Sequence, residues 1–132
     1  MRLAVTRSAY AARVLRAAAR EWLPKLEYDE VSLSLVADRE MKVLNRRWRG
    51  KDKTTDVLSF PLEEKKHLGD VVISLDVARR QAREGGWPLS MELRRLLAHG
   101  LLHCAGHDHE TAADAARMRR AELRLLGERG MV

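Results

Sequence analysis

The run HGLLHCAGHDH, residues 99 to 109, places four of the chain's five histidines within eleven residues. No other stretch restricts the fold so tightly. His99 and His103 stand four apart, so on a helix they lie one turn above the other on one face. Gly106 ends such a helix at little cost, because glycine accepts the left-handed backbone of a helix terminus. His109 follows three residues later, where the returning chain closes the third side. The region must therefore be a helix, a sharp turn and a return. Three imidazoles so placed are a metal-ligand set; surface histidines clustered by chance are the alternative, and the position of the glycine disfavours it.

The pattern H-x-x-x-H-x-x-G-x-x-H has the spacing of the metzincin zinc motif, with one position changed. Zinc proteases carry glutamate directly after the first histidine as general base. Here Gly100 stands there and has no group that takes a proton. Three neutral nitrogen ligands leave a fourth coordination position open to water, as in catalytic zinc sites. His107 is left outside the ligand set, and Cys104 reads as a small core residue. Asp108 either orients a ligand histidine or caps the next helix.

Composition narrows the setting. A chain of 132 residues suits one domain with one core. The single cysteine excludes an internal disulfide and a cysteine-rich zinc site, and fits a reducing cytoplasm. No apolar run is long enough to span a membrane. The opening MRLAVTRSAYAARVLRAAAREWLP is rich in Arg and Ala, as transit peptides are. Val14, Leu15, Ala18 and Trp22 nevertheless mark one face, so it reads as a first amphipathic helix of the fold. Net charge is +6, which favours an anionic partner, with nucleic acid first. The bias is concentrated in KVLNRRWRGKDK, residues 42 to 53, where only Asp52 opposes six cations and Trp48 sits among them.

Periodicity predicts an α+β layout. A helix covers about Thr6 to Leu23, and alternation at Val31, Leu33 and Leu35 marks a strand over 30–37. Asp38 is expected to cap a helix over about Arg39 to Arg47, followed by a loop from Arg49 to Lys53. Strands follow at Asp56–Phe60 and Gly69–Leu75, joined by a charged segment. Asp76 starts a helix that ends at Gly85–Gly86. Ser90 is the expected N-cap of the histidine helix, Met91 to about Ala105, and a last helix covers about Thr111 to Leu126. A fourth strand is placed near Leu3 to Thr6. The total is about four strands and about five helices.

A metal-activated water attacks a peptide, an amidine carbon or a phosphodiester. The basic loop favours the phosphodiester, whose transition state gathers charge that guanidinium matches. Arg and Lys beside Trp48 also suit single-stranded nucleic acid, with phosphates paired and a base stacked. A solvated basic loop with Trp48 packed in the core is the competing reading.

Three blocks in order, RGKDKTTDVLSF (49–60), LGDVVIS (68–74) and HGLLHCAGHDH (99–109), resemble the YbeY family of bacterial rRNA-maturation endoribonucleases. The resemblance spans roughly residues 30 to 126. It implies a zincin-like α+β fold and a metal ion, usually zinc, held by His99, His103 and His109. It implies that Arg49 is the cleft arginine essential for RNA cleavage. It further implies action on single-stranded RNA, trimming of the 3′ end of small-subunit rRNA and a part in ribosome quality control. The family commonly has proline where this chain has Thr54, and tyrosine where it has His107.

The leading expectation is thus a zinc-dependent endoribonuclease of the cytoplasm, with Arg49 neutralising charge and Lys51 and Lys53 guiding the RNA backbone. Another divalent transition metal is compatible with three imidazoles. The attacking group is either water or a substrate 2′-hydroxyl. Two rivals remain at this point. One is a non-catalytic ribosome-assembly factor whose metal is structural. The other is a metalloprotease, which requires a carboxylate from elsewhere, such as Asp70.

Overall fold

The computed structural model describes residues 2, 3, 8–62, 64, 66–108 and 110–127. Among the described residues four strands form one mixed sheet, in the order β1-β2-β4-β3. They are β1 (Arg2–Leu3), β2 (Glu30–Val36), β3 (Val57–Pro61) and β4 (His67–Ser74). β1, β2 and β4 run parallel, and β3 returns antiparallel on β4 as an edge strand. Five helices accompany them: α1 (Ala9–Trp22), α2 (Asp38–Arg49), α3 (Leu75–Gly85), α4 (Leu89–Cys104) and α5 (Ala112–Leu126). The α+β class matches the sequence expectation, and among the described residues there are four strands, one of them only two residues long, and five helices. β1 is two residues long, and the other residues expected in it lie outside the described ones.

The sheet sorts its side chains by the period-two rule. Leu33, Leu35, Val71 and Ile73 face a large core shared with α1 and α4. Val36, Leu58 and Val72 face the other way and meet Met41 of α2 in a smaller core. α4 lies in the middle of the large core, and its Leu93, Leu97 and Leu101 are fully buried. Each such side chain contributes about 1.5–3 kcal/mol of transfer free energy.

Several boundaries differ from the expectation, for identifiable reasons. Asp38 is the first residue of α2 rather than its cap, and Ala37 precedes it in extended conformation. The orphan N–H of Asp38 is taken by a carboxylate from another helix, Asp76 of α3, at 2.7 Å. α2 also runs on to Arg49, because Gly50 adopts the left-handed conformation that ends it. Arg49 therefore belongs to the last helical turn and not to the loop. α4 begins ahead of Ser90, with Pro88 at the N-cap and its carbonyl accepting from the N–H groups of Met91 and Glu92. β4 begins at His67, earlier than Gly69, since the Lys66 carbonyl accepts from the N–H groups of Asp29 and Glu30 and draws the chain alongside β2.

Candidate active site

The C-terminal end of α4 is a Schellman motif. The N–H of His107 donates to the Leu102 carbonyl at 2.9 Å, and that of Gly106 to the His103 carbonyl at 3.1 Å. Gly106 has φ of +102°, so the turn that the sequence assigned to this glycine is made there. His99 and His103 sit on successive turns of α4, with ring centres 4.6 Å apart at an interplanar angle of 74°. Both are half-buried on a helix whose other central residues are buried. His109 lies outside the described residues.

Two imidazoles bound to one tetrahedral ion, with bonds of ~2 Å, hold their ring centres roughly 5 Å apart. The 4.6 Å spacing of His99 and His103 fits that demand. Among the described residues no cluster of three or more histidines, cysteines or carboxylates is placed to hold a metal.

Glu122 of α5 approaches His99 Nδ1 to 3.8 Å. Sequence reasoning missed it, because the contact crosses between helices that are separate in sequence and no local pattern marks it.

Facing the histidines across the open edge of β3 is the basic segment. Arg49, Lys51, Lys53, Asn45, His99 and His103 all line one cleft of about 500 Å³, floored by Val57, Leu58 and Ser59 of β3. α4 lies on one face of the edge strand and α2 on the other, and the two walls meet over its rim. Arg49 is held there by donating from Nη2 to the Ser59 carbonyl at 2.8 Å. That bond uses one of its five N–H donors. Asn45, buried in α2, donates from Nδ2 to the Lys53 carbonyl at 2.8 Å and ties the loop to the helix. It is the second residue the sequence did not single out.

Gly100 has a packing reason as well as a chemical consequence. A Cβ there would meet Val71 Cγ1 at 2.7 Å and Val57 Cγ2 at 3.3 Å. α4 rests on the sheet at this position, so the protease glutamate has no room. Asp70 lies in β4, paired with Phe60 and Ser32 in the register. Cys104 is buried, and burial first, then the charge of Asp70, pushes its thiol up to about 11. It stays a protonated core thiol, as expected. Asp108 accepts from the N–H of Glu110 at 3.3 Å, and the helix after it is capped instead by Thr111, whose hydroxyl accepts from the N–H of Asp114 at 3.0 Å.

The model of one family, endoribonuclease YbeY, matches residues 4–130. The chain belongs to that family. An endoribonuclease YbeY of Myxococcus xanthus is 57% identical over 130 residues, covering 92% of this chain and 44% of that protein. One from Anaeromyxobacter sp. is 53% identical over 128 residues, covering 92% of this chain and 67% of the relative. The chain thus spans less than half of the first relative's length and about two thirds of the second's. The solution structure of TM1509 from Thermotoga maritima superposes with a TM-score of 0.65 at 30% identity, covering 96% of this chain and 89% of that one. Within the family pattern Thr54 stands where the resemblance expects proline. Its hydroxyl is buried without a hydrogen-bond partner, as an apolar ring at that place would not be.

Proposed function

We propose that the chain is a metal-dependent endoribonuclease that cuts single-stranded RNA. Its setting is rRNA maturation at the 3′ end of the 16S rRNA and quality control of the small ribosomal subunit, in the cytoplasm. The observation that carries this reading is one cleft with a histidine wall on α4 and an Arg–Lys wall on α2 and its loop. The relatives' name, endoribonuclease YbeY, supports the same reaction class.

His99, His103 and His109 would hold zinc, or another divalent transition metal. The ion supplies Lewis acidity and lowers the pKa of water in the cleft. Arg49 offers its remaining guanidinium donors to the phosphate oxygens and neutralises charge as it grows on them. Its anchor on Ser59 fixes the fork before RNA arrives, so no reorganisation is needed at the reacting step. Lys51 and Lys53 attract the backbone as point charges and set no sequence preference. With Gly100 packed on Val71 and Val57, the chain lacks room for a protease base on α4.

A gel assay on end-labelled single-stranded RNA tests this. It compares the zinc-loaded chain, the same chain after chelation and zinc return, and folded His103→Ala and Arg49→Ala variants. Cleavage should vanish with chelation, return with zinc and be absent in His103→Ala. Arg49→Ala should lose about 10²–10³-fold in rate. RNA binding without metal-linked cleavage would replace this reading with that of an assembly factor.

A further inference from the structure

Beside the cleft, two aromatic rings in contact are flanked at either end by an arginine. Arg47 Cζ lies 5.3 Å from the centre of the Trp48 ring. Trp48 meets Phe60 edge to face, with centres 6.1 Å apart and planes at 68°. Arg49 Cζ lies 5.3 Å from the centre of the Phe60 ring. The group begins on the outer side of α2 and ends at Arg49, inside the cleft.

Trp48 is 57% exposed, whereas Trp22 is fully buried in the core. A solvated indole forgoes the burial free energy that usually places tryptophan inside. Its surroundings specify what would cover it. Lys42, Arg46, Arg47 and Arg49 are exposed on the same helix, and Lys51 and Lys53 follow in the loop. An apolar ring framed by cations complements a planar base carried on a phosphate backbone.

We propose that Trp48, braced by Phe60, is a stacking subsite for one unpaired nucleobase of an RNA strand whose backbone enters the cleft at Arg49. This rests on the endoribonuclease reading and assigns a base to a surface lying outside the cleft. It also supplies a physical cause for strand selection. A base inside a duplex has both faces occupied by its neighbours, while an unpaired base has a face to offer. The subsite would therefore prefer single strands without reading their sequence.

The test measures binding of a fluorescein-labelled, unstructured ten-nucleotide RNA by anisotropy in the first seconds after mixing. The probes are that RNA and the same backbone with every base removed. The proteins are the wild-type chain, Trp48→Ala and Trp48→Phe, each checked for unchanged melting. Trp48→Ala should bind the normal RNA about tenfold more weakly, and Trp48→Phe should recover most of the loss. Both variants should bind the base-free backbone as the wild type does. Indole fluorescence of the wild type should be quenched by the normal RNA and not by the base-free one. Equal binding of normal RNA by Trp48→Ala and wild type would overturn the subsite, as would an equal loss on the base-free probe. If Trp48→Ala does not fold, absence of base-dependent quenching in the wild type is the overturning result. Wild-type chain that binds no RNA at all would instead bring down the endoribonuclease reading, and this subsite with it.

Discussion

The two walls of the cleft are built in opposite ways. The histidine wall belongs to α4, where Leu93, Leu97 and Leu101 are fully buried and Gly100 is seated against Val71. The basic wall belongs to α2, where Met41 and Asn45 are the buried residues and the last five positions are otherwise exposed. One wall takes its order from the core. The other takes it from a few hydrogen bonds and leaves its charges in water. A metal site needs donors fixed to fractions of an ångström, which close packing supplies. Capture of a flexible polyanion needs solvated charge within reach, which packing would remove.

The contrast is broken most severely at Gly100. Gly100→Glu recreates the protease pattern on paper, yet it forces a carboxylate between α4 and the sheet. Overpacking and charge burial together should cost about 3 kcal/mol or more in urea unfolding, with no gain of proteolysis. Near-native stability would mean that α4 rests more loosely on Val71 than described. On the other wall, Asn45→Ala removes the bond to the Lys53 carbonyl at 2.8 Å. The expected loss is about 1–2 kcal/mol in the same unfolding assay, with faster amide exchange in residues 50–55. Lys51→Ala should change stability by less than about 0.5 kcal/mol. Its signature is electrostatic: the slope of log K against log salt for single-stranded RNA should fall by about 0.7. An unchanged slope would take Lys51 off the RNA path.

The histidine wall is the more legible in sequence. Two residues four apart on a helix share a face wherever that helix sits, and Gly106 marks the turn by its own backbone freedom. β2 was legible through Val31, Leu33 and Leu35, because a half-buried strand writes its environment into alternation. The parts that escaped are set by residues far apart in the chain. Asp38 looked like a cap for its own helix, but the N–H is satisfied by Asp76, 38 positions away. Ser90 has the chemistry of a cap, and Pro88, with φ already held at −63°, starts α4 ahead of it. Sequence alone places Arg49 in a loop, because Gly50 there reads as a loop residue, whereas it is the residue that lets α2 reach its full length. Glu122 and Asn45 left no local trace, since each acts by meeting a partner that folding brings to it.

The bond from Arg49 to Ser59 has a consequence unrelated to RNA. β3 is an outer strand of the sheet, and an outer strand offers unpaired main-chain groups to any other extended chain, one route to aggregation. A guanidinium seated on the Ser59 carbonyl closes part of that rim and sets a positive charge beside it. The arginine proposed to meet the phosphate would thus also guard against strand addition. Its removal should leave a chain that is catalytically impaired and, at high concentration, less soluble as well.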